Sequence, residues 1–227
     1  MRLNNLIIGD VKFQFKYGFY LVYAILSVVY ISVIYALPPL WREKAAAVMV
    51  FSDPAAMGLF FMGAIVLLEK SDRVLNSIAV SPVMVSEYIF SKVISLCLIS
   101  TAVGLLIAMS ANSGDLLTVM LGTLLGSAFF TLIGLIVASN ISSLNQFLAA
   151  TVPVEIICCL PPVLYLFGYK KAFMLVHPGC IIIRLISGNG DNLFLLTAVL
   201  CAWIGLMYIA AYKYIGIMFQ KVGGIKL

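Results

Sequence analysis

Six charged residues, Glu69, Lys70, Asp72, Arg73, Glu87 and Lys92, fall in one segment of a chain that carries only 23 (14 basic plus 9 acidic). The segment reads EKSDRVLNSIAVSPVMVSEYIFSK, and long apolar stretches flank it on both sides. Acids and bases alternate without a nucleophile beside a base, so the chemistry on offer is recognition by charge, not bond-making. Glu69 and Arg73 stand four apart, the favourable order for a helical ion pair. Leu75, Ile78 and Ala79 then share one face. Ser81-Pro82 reads as an N-cap followed by proline at the first helical position, which starts a new helix. These signals predict a short helix of about ten residues along the membrane surface, a break, and then a span. Helices in bundles are usually joined by only a few residues. A connection this long reads as a docking element for a soluble partner, with a solvated hairpin as the bland alternative.

A second candidate is Glu155, in the run TVPVEIICCLPPV. An ionisable residue at the centre of a membrane helix costs about 2.5–3.5 kcal/mol on insertion scales. It is therefore expected to face the bundle interior, a partner subunit or a cavity. Pro153, Pro161 and Pro162 remove backbone hydrogen bonds in the same helix and are expected to kink it. Glu155 with Pro153 and Pro161 is a candidate pathway lining; a structural carboxyl bonded to a neighbouring helix is the equal alternative. Other chemistry is missing from the pattern. Gly58–Gly63 is followed by Ala64 and Ile65, so no phosphate-binding lysine follows the glycines. A single histidine, His177, rules out a two-histidine zinc motif and reads as a turn residue. No span carries a Ser/His or paired-carboxylate constellation. The five cysteines follow neither metal nor disulfide spacing. The chain reads as a non-enzyme with no catalytic or metal site.

These residues are carried by an all-α, polytopic membrane protein. Hydrophobic residues make up 63% of the 227 and charged ones 10%, against about half and a quarter in soluble domains. A helix crossing the hydrocarbon core needs about 20 apolar residues. Six segments qualify: Phe19–Leu40, Pro54–Leu68, Tyr88–Ala111, Leu116–Ala138, Phe147–Gly168 and Asn192–Ile217. The second is short and is expected to begin near Ala45, with Asp53 close to its outer end. The N-terminus reads as a retained first span, since the charge-free run after Lys16 is too long for a signal peptide. Before it, Leu3–Phe19 mixes apolar residues with Asp10, Lys12 and Lys16, as an interfacial helix would. Between the last two spans, Tyr169–Asp191 holds two apolar runs around His177-Pro178-Gly179, each too short to cross. They suit re-entrant half-helices turning at Pro178 and Gly179.

Lysine and arginine in short loops set orientation. Placing both termini inside puts Arg2, Lys12, Lys16, Lys70, Arg73, Lys92, Lys213, Lys221 and Lys226 on the cytoplasmic side. Arg42, Lys44, Lys170, Lys171 and Arg184 fall outside. The net charge of +5 is accounted for by flanks facing anionic lipid, without nucleic acid. Gly122 and Gly126 are expected to pack within the subunit. Phe19, Tyr20, Tyr23, Trp41, Tyr88 and Tyr165 are expected to form an interfacial belt. The whole chain, 1–227, reads as a single transmembrane domain.

The segment Val11–Tyr17, the Glu69–Lys92 motif, the six-span layout and the half-helices before the last span together resemble the ABC-2-type transporter permeases. These are the membrane subunits of ATP-driven exporters, and the bacterial drug and peptide-antibiotic exporters are the nearest in pattern. The resemblance covers nearly the whole chain. It implies that Val11–Tyr17 is a connecting helix and that Glu69–Lys92 is the main coupling helix, seated on an ATPase. Glu69, Arg73, Leu75, Ile78, Pro82, Glu87 and Lys92 then lie at or beside that contact. It implies a smaller second contact at Asn140–Gln146, with Asn140, Ser142 and Asn145, although this loop lacks charge. It implies a separate ATPase subunit that holds the ATP and magnesium, a homodimer or a sister permease, and a multi-pass place in the plasma membrane. The expected function is export of an amphipathic or lipophilic substrate. The alternatives are a secondary transporter or channel, or a scaffold that docks an ATPase without transport.

Overall fold

A computed structural model describes residues 2–112, 115–188 and 192–222, without the side chains of 54–56 and 222. The described residues form helices throughout: α1 (Arg2–Lys16), α2 (Phe19–Ala36), α3 (Pro39–Ser52), a π-helical segment (Asp53–Phe61), α4 (Met62–Ser71), α5 (Val74–Ala79), α6 (Val85–Ser110), α7 (Leu116–Ser139), α8 (Leu144–Leu166), a 3-10 turn (Ala172–Leu175), α9 (Pro178–Ile186) and α10 (Leu193–Val222). Six stretches are long and apolar enough to cross a membrane. The all-α polytopic expectation is therefore met.

Local chemistry marks the breaks. Gly18 takes a left-handed conformation (φ 78°) between α1 and α2, which glycine adopts at no steric cost. At the other end of α2, Leu37 is extended ahead of Pro38-Pro39, and Pro39 opens α3 at its first position. The Arg42 Nε donates to the Leu37 carbonyl at 2.9 Å and closes that corner. Asp115 caps α7 through the Leu117 amide, and Ser143 caps α8 through the Gln146 amide.

The second span differs from its expectation. It is not the short run Pro54–Leu68 but a continuous 33-residue helix, Pro39–Ser71, made of α3, the π segment and α4. Asp53 lies at its middle, not near its outer end. Pro54 has no N–H, so the Val50 carbonyl loses its donor four residues on. Sliding the ladder by one residue restores a donor and gives the wider π register.

α7 is the axial element and packs against α6, the π segment, α10 and α9. Its glycines permit this. A Cβ on Gly134 would lie 2.8 Å from the Leu59 carbonyl oxygen, and one on Gly122 would lie 2.9 Å from the Ile186 side chain. The close approach of Gly122 within the subunit is thus as expected. α9 enters the bundle, and all of its residues except Arg184 are buried. Gly179 packs directly on the Cys158 carbonyl and Pro162. Only this second apolar run of Tyr169–Asp191 is a helix; the first forms a single 3-10 turn, and residues 189–191 lie outside the described residues. α2, α8 and α10 turn Leu21, Ile25, Ile156, Ile157, Leu195 and Ile209 outward. Lipid tails solvate such side chains as well as a core does. Pro153, Pro161 and Pro162 all sit inside one continuous α8. The aromatic belt is incomplete, because Phe19, Tyr23 and Tyr88 are buried in the bundle.

Candidate functional site

Both ends of the described chain lie at one end of the bundle, and the Glu69–Lys92 segment lies there too. The N-terminal Arg2 donates to the Pro82 carbonyl at 3.2 Å, and Lys221 near the far end of α10 lines a pocket with Lys70. Lys226 lies outside the described residues.

Glu69, at the last turn of α4, and Lys92, in the second turn of α6, are 2% and 1% exposed and form an ion pair with each other. Lys92 Nζ also donates to Asp10 Oδ1 at 2.5 Å. Tyr88 Oη donates to Glu69 Oε2 at 2.7 Å, and its ring lies under the Lys92 ammonium, 5.1 Å from nitrogen to centroid. Phe219 of α10 meets the Tyr88 ring edge-on at 5.2 Å. One turn further along α6, Ser95 accepts from Gln14 Nε2 at 2.9 Å. The result is a buried polar hub that ties α1, α4, α6 and α10 together. Lys92 is multiply bonded, which is how a buried charge is tolerated.

This corrects the expected pairing. Glu69 does not bond Arg73, because Arg73 adopts a left-handed conformation (φ 58°) that ends α4 and begins α5. The i,i+4 geometry is lost there, and Arg73 is exposed. Nor do Glu69 and Lys92 offer their side chains to a surface; Asp10 and Tyr88 already occupy them. Asp10 was not singled out from sequence as a partner. The charged pattern of α1 showed an interfacial helix, and nothing in the spacing points from Asp10 to a residue 82 positions away.

Ser81-Pro82 is also corrected. α5 spans six residues, and Pro82 is exposed in the turn after it. The Ser81 hydroxyl donates back to the Ile78 carbonyl at 2.7 Å and closes α5. α6 begins at Val85, with the Glu87 carboxylate accepting from the Met84 amide at 2.9 Å. A carboxylate that reaches back from the third helical position satisfies an amide the helix leaves unpaired. Leu75 is buried and anchors α5 against α10 and α4. Ile78 is half-buried. The outward edge carries Arg73, Asn76, Ser77, Val80 (79% exposed) and Met84 (63% exposed). Asp72 accepts a hydrogen bond from Tyr17 at the end of α1, which holds the Tyr17 phenol above its usual value.

Lys70 has a role that sequence did not indicate. Its ammonium donates to the carbonyls of Ala138 (2.7 Å), Ser139 (3.2 Å) and Ile141 (2.7 Å), and so closes the C-terminus of α7. A cation at that end also meets the negative pole of the helix. The loop it grips spans residues 140–143, shorter than Asn140–Gln146, since Asn145 and Gln146 already belong to α8. Asn140, Ser142 and Asn145 are exposed. Asn140, Ser142, Lys70 and Lys221 line a pocket of about 230 Å³. Glu155 lies far along α8 from this end. It is half-buried, between the exposed Val152 and Ile156. Among the described residues it has no hydrogen bond or ion pair, so the structure does not bond it to a neighbouring helix of its own chain.

The arrangement is a set of spans mechanically tied to a short surface helix, as a transport subunit needs. The comparisons agree with that reading. The chain is similar to a fluoroquinolones export permease protein known from two strains of Mycobacterium tuberculosis, at 29% identity over 145 residues. That alignment covers 63% of this chain and 61% of the relative, so the chain matches under two thirds of its relatives' length. The sequence pattern of a whole family extends further, matching residues 1–219, from α1 through nearly all of α10. An export permease is what the resemblance to the ABC-2-type permeases implied, and by this match the chain belongs to the fluoroquinolones export permease protein family.

Proposed function

We propose that the chain is the transmembrane permease subunit of an ATP-driven exporter, with the ATP hydrolysed by a separate chain docked on α5. The observation that carries this reading is the outward edge of α5. Asn76 and Ser77 on it and Arg73 and Val80 at its two ends are exposed, while its other face, through Leu75, is buried in the bundle. A movement of α5 is transmitted through Leu75 to α10 and through the neighbouring Glu69–Lys92 hub to α1, α4 and α6. The permease makes no bonds; it converts docking movement into differential access. ATP and magnesium belong to the partner, and the chain itself is not an enzyme. Both termini are cytoplasmic, in the plasma membrane. A second permease, identical or a sister chain, covers part of the exposed apolar surface of α2, α8 and α10. The substrate is amphipathic, of the fluoroquinolone type that the relatives' names state, and Glu155 faces either it or the second permease.

The test is purification of the full chain from its native membrane in mild detergent, with ATP hydrolysis measured on what elutes. An ATPase subunit is expected to co-purify and to be lost in Arg73→Glu and Val80→Glu. Both positions are exposed, so the chain itself is expected to remain folded. Elution without an ATPase, even after crosslinking through a cysteine placed at Ser77, overturns the reading in favour of a channel, secondary transporter or scaffold.

A further inference from the structure

Asp53 is fully buried at the head of the π-helical segment, and neither of its carboxylate oxygens has a hydrogen-bond partner. It has no salt-bridge partner either, among the described residues. The groups around it are neutral. Tyr23 and Tyr30 of α2 lie within Coulombic reach, with Cys97 of α6 beside Tyr23. α6 and α7, both packed against the π segment, add buried Ser100, Ser127 and Thr131 and the nearby Thr101. The Tyr23 hydroxyl and the Thr101 and Thr131 oxygens are also buried without partners. The charged groups of the packed elements stand elsewhere. Arg42, Glu43 and Lys44 begin α3, and even Lys44 is about 13 Å from Asp53 along the helix axis. Glu69 and Lys70 end α4, Glu87 and Lys92 begin α6, and Asp115 caps α7. α8 brings Glu155, Cys158 and Cys159, none of them bonded to Asp53.

We propose that Asp53 is a proton-binding site at the centre of the bundle, neutral in this packed conformation and deprotonated when the helix Pro39–Ser71 moves to admit water. An ionised carboxylate without a partner in a dry interior is unfavourable by several kcal/mol, whereas the acid form needs only an acceptor for its hydroxyl. The buried hydroxyls of Tyr23, Ser100 and Thr131 on the neighbouring helices carry no charge, and none of them bonds Asp53 in this conformation. A larger cation fits less well. It needs several oxygen ligands and room for them, and the backbones of the π segment and α7 are in direct contact at Gly58 and Gly134. The π register also provides the means of movement. Reverting to α geometry turns the helix beyond it by one residue, about 100°. On exposure the acid O–H breaks, the proton passes to water and the electron pair stays on the carboxylate. The packed state therefore binds one proton more than the opened or unfolded state, and raising the pH destabilises it. This holds whether or not an ATPase docks on α5.

The experiment is infrared spectroscopy of the full chain in lipid nanodiscs, with carbon-13 aspartate to separate Asp from Glu. A protonated-carboxyl band is expected at pH 7 in the wild type and is expected to disappear in Asp53→Asn. The wild-type melting temperature is expected to fall as pH rises above the ordinary aspartate value of about 4, and this slope to flatten in the variant. Asp53→Ser, smaller and also neutral, serves if the amide does not fold. Absence of the band at pH 7 in folded protein overturns the proposal. A band lost when sodium chloride replaces choline chloride at constant pH also overturns it, and shows an inorganic cation site instead.

Discussion

The chain buries carboxylates in two ways. At the end of the bundle that carries both ends of the described chain, Glu69 and Asp10 share the Lys92 ammonium and Glu69 also accepts from Tyr88. At the centre, Asp53 has none of this. The hub is close to the polar surface, where α1 lies across the bundle and can deliver a second acid to the lysine. The centre is reached only by spans and by α9, and among the described residues none of them brings a lysine or arginine to Asp53. The hub carboxylates thus share a cation, and the central one is tolerated through a proton. The first arrangement is rigid and binds helices together. The second responds to water and pH, and it sits on the most irregular helix of the fold.

The comparison is broken most severely at Lys92. Lys92→Met leaves the buried Glu69 and the half-buried Asp10 without a cation, and the expected loss is about 3–5 kcal/mol. Asp53→Asn, equally buried but neutral, is expected to leave the pH 7 melting temperature nearly unchanged. Parallel thermal unfolding of the two variants in detergent checks this; equal losses would show that the two sites are not different in kind. Next in size is Leu75→Ala, which removes the anchor of α5 and is expected to cost about 2–5 kcal/mol. Protease should then cut near residues 76–82 while the spans stay intact, sharpening the assignment of α5 as a separable lever. Arg73→Gly relieves the left-handed backbone and is expected to stabilise the isolated chain by up to about 1 kcal/mol, read as a higher melting temperature. The smallest effect concerns His177 at the opposite end. Its Nε2–H donates to the Ile157 carbonyl (3.1 Å), and burial holds its pKa below the ordinary 6.5. The neutral ring is favoured in the fold, so its contribution is present above that value and is lost as pH falls below it. The wild-type melting temperature should fall over that range by more than that of His177→Gln.

Much of the fold was legible. Hydropathy is a sum over neighbouring residues, so six spans, an amphipathic α1 and a short helix between the second and third spans could be read without any contact being known. Turn chemistry at Pro178 acts locally and was equally readable, but the span read as Phe19–Leu40 stops at Ala36, because Leu37 is extended before Pro38-Pro39 and Pro39 opens the next helix. Where local reading failed, a longer-range partner had won. Ser81 resembles an N-cap, but its hydroxyl closes α5 and Glu87 caps α6 instead. Glu69 has Arg73 at helical spacing, but the chain turns left-handed between them and Lys92 takes the acid.

The candidate site divides along the same line. Which residues are apolar enough to span, which carry charge, and that a charged segment interrupts the spans all follow from composition and order, because transfer into lipid depends on each segment by itself. Which charges face outward does not. Asp10 and Lys92 are 82 positions apart, Gln14 and Ser95 are 81 apart, and Lys70 grips a loop 68 to 71 residues away. Only the packing of α1 and α7 against α4 and α6 brings these groups together, since hydrogen bonds and ion pairs act over a few ångströms. The same packing leaves Asp53 alone, and so separates a structural charge from a titrating one.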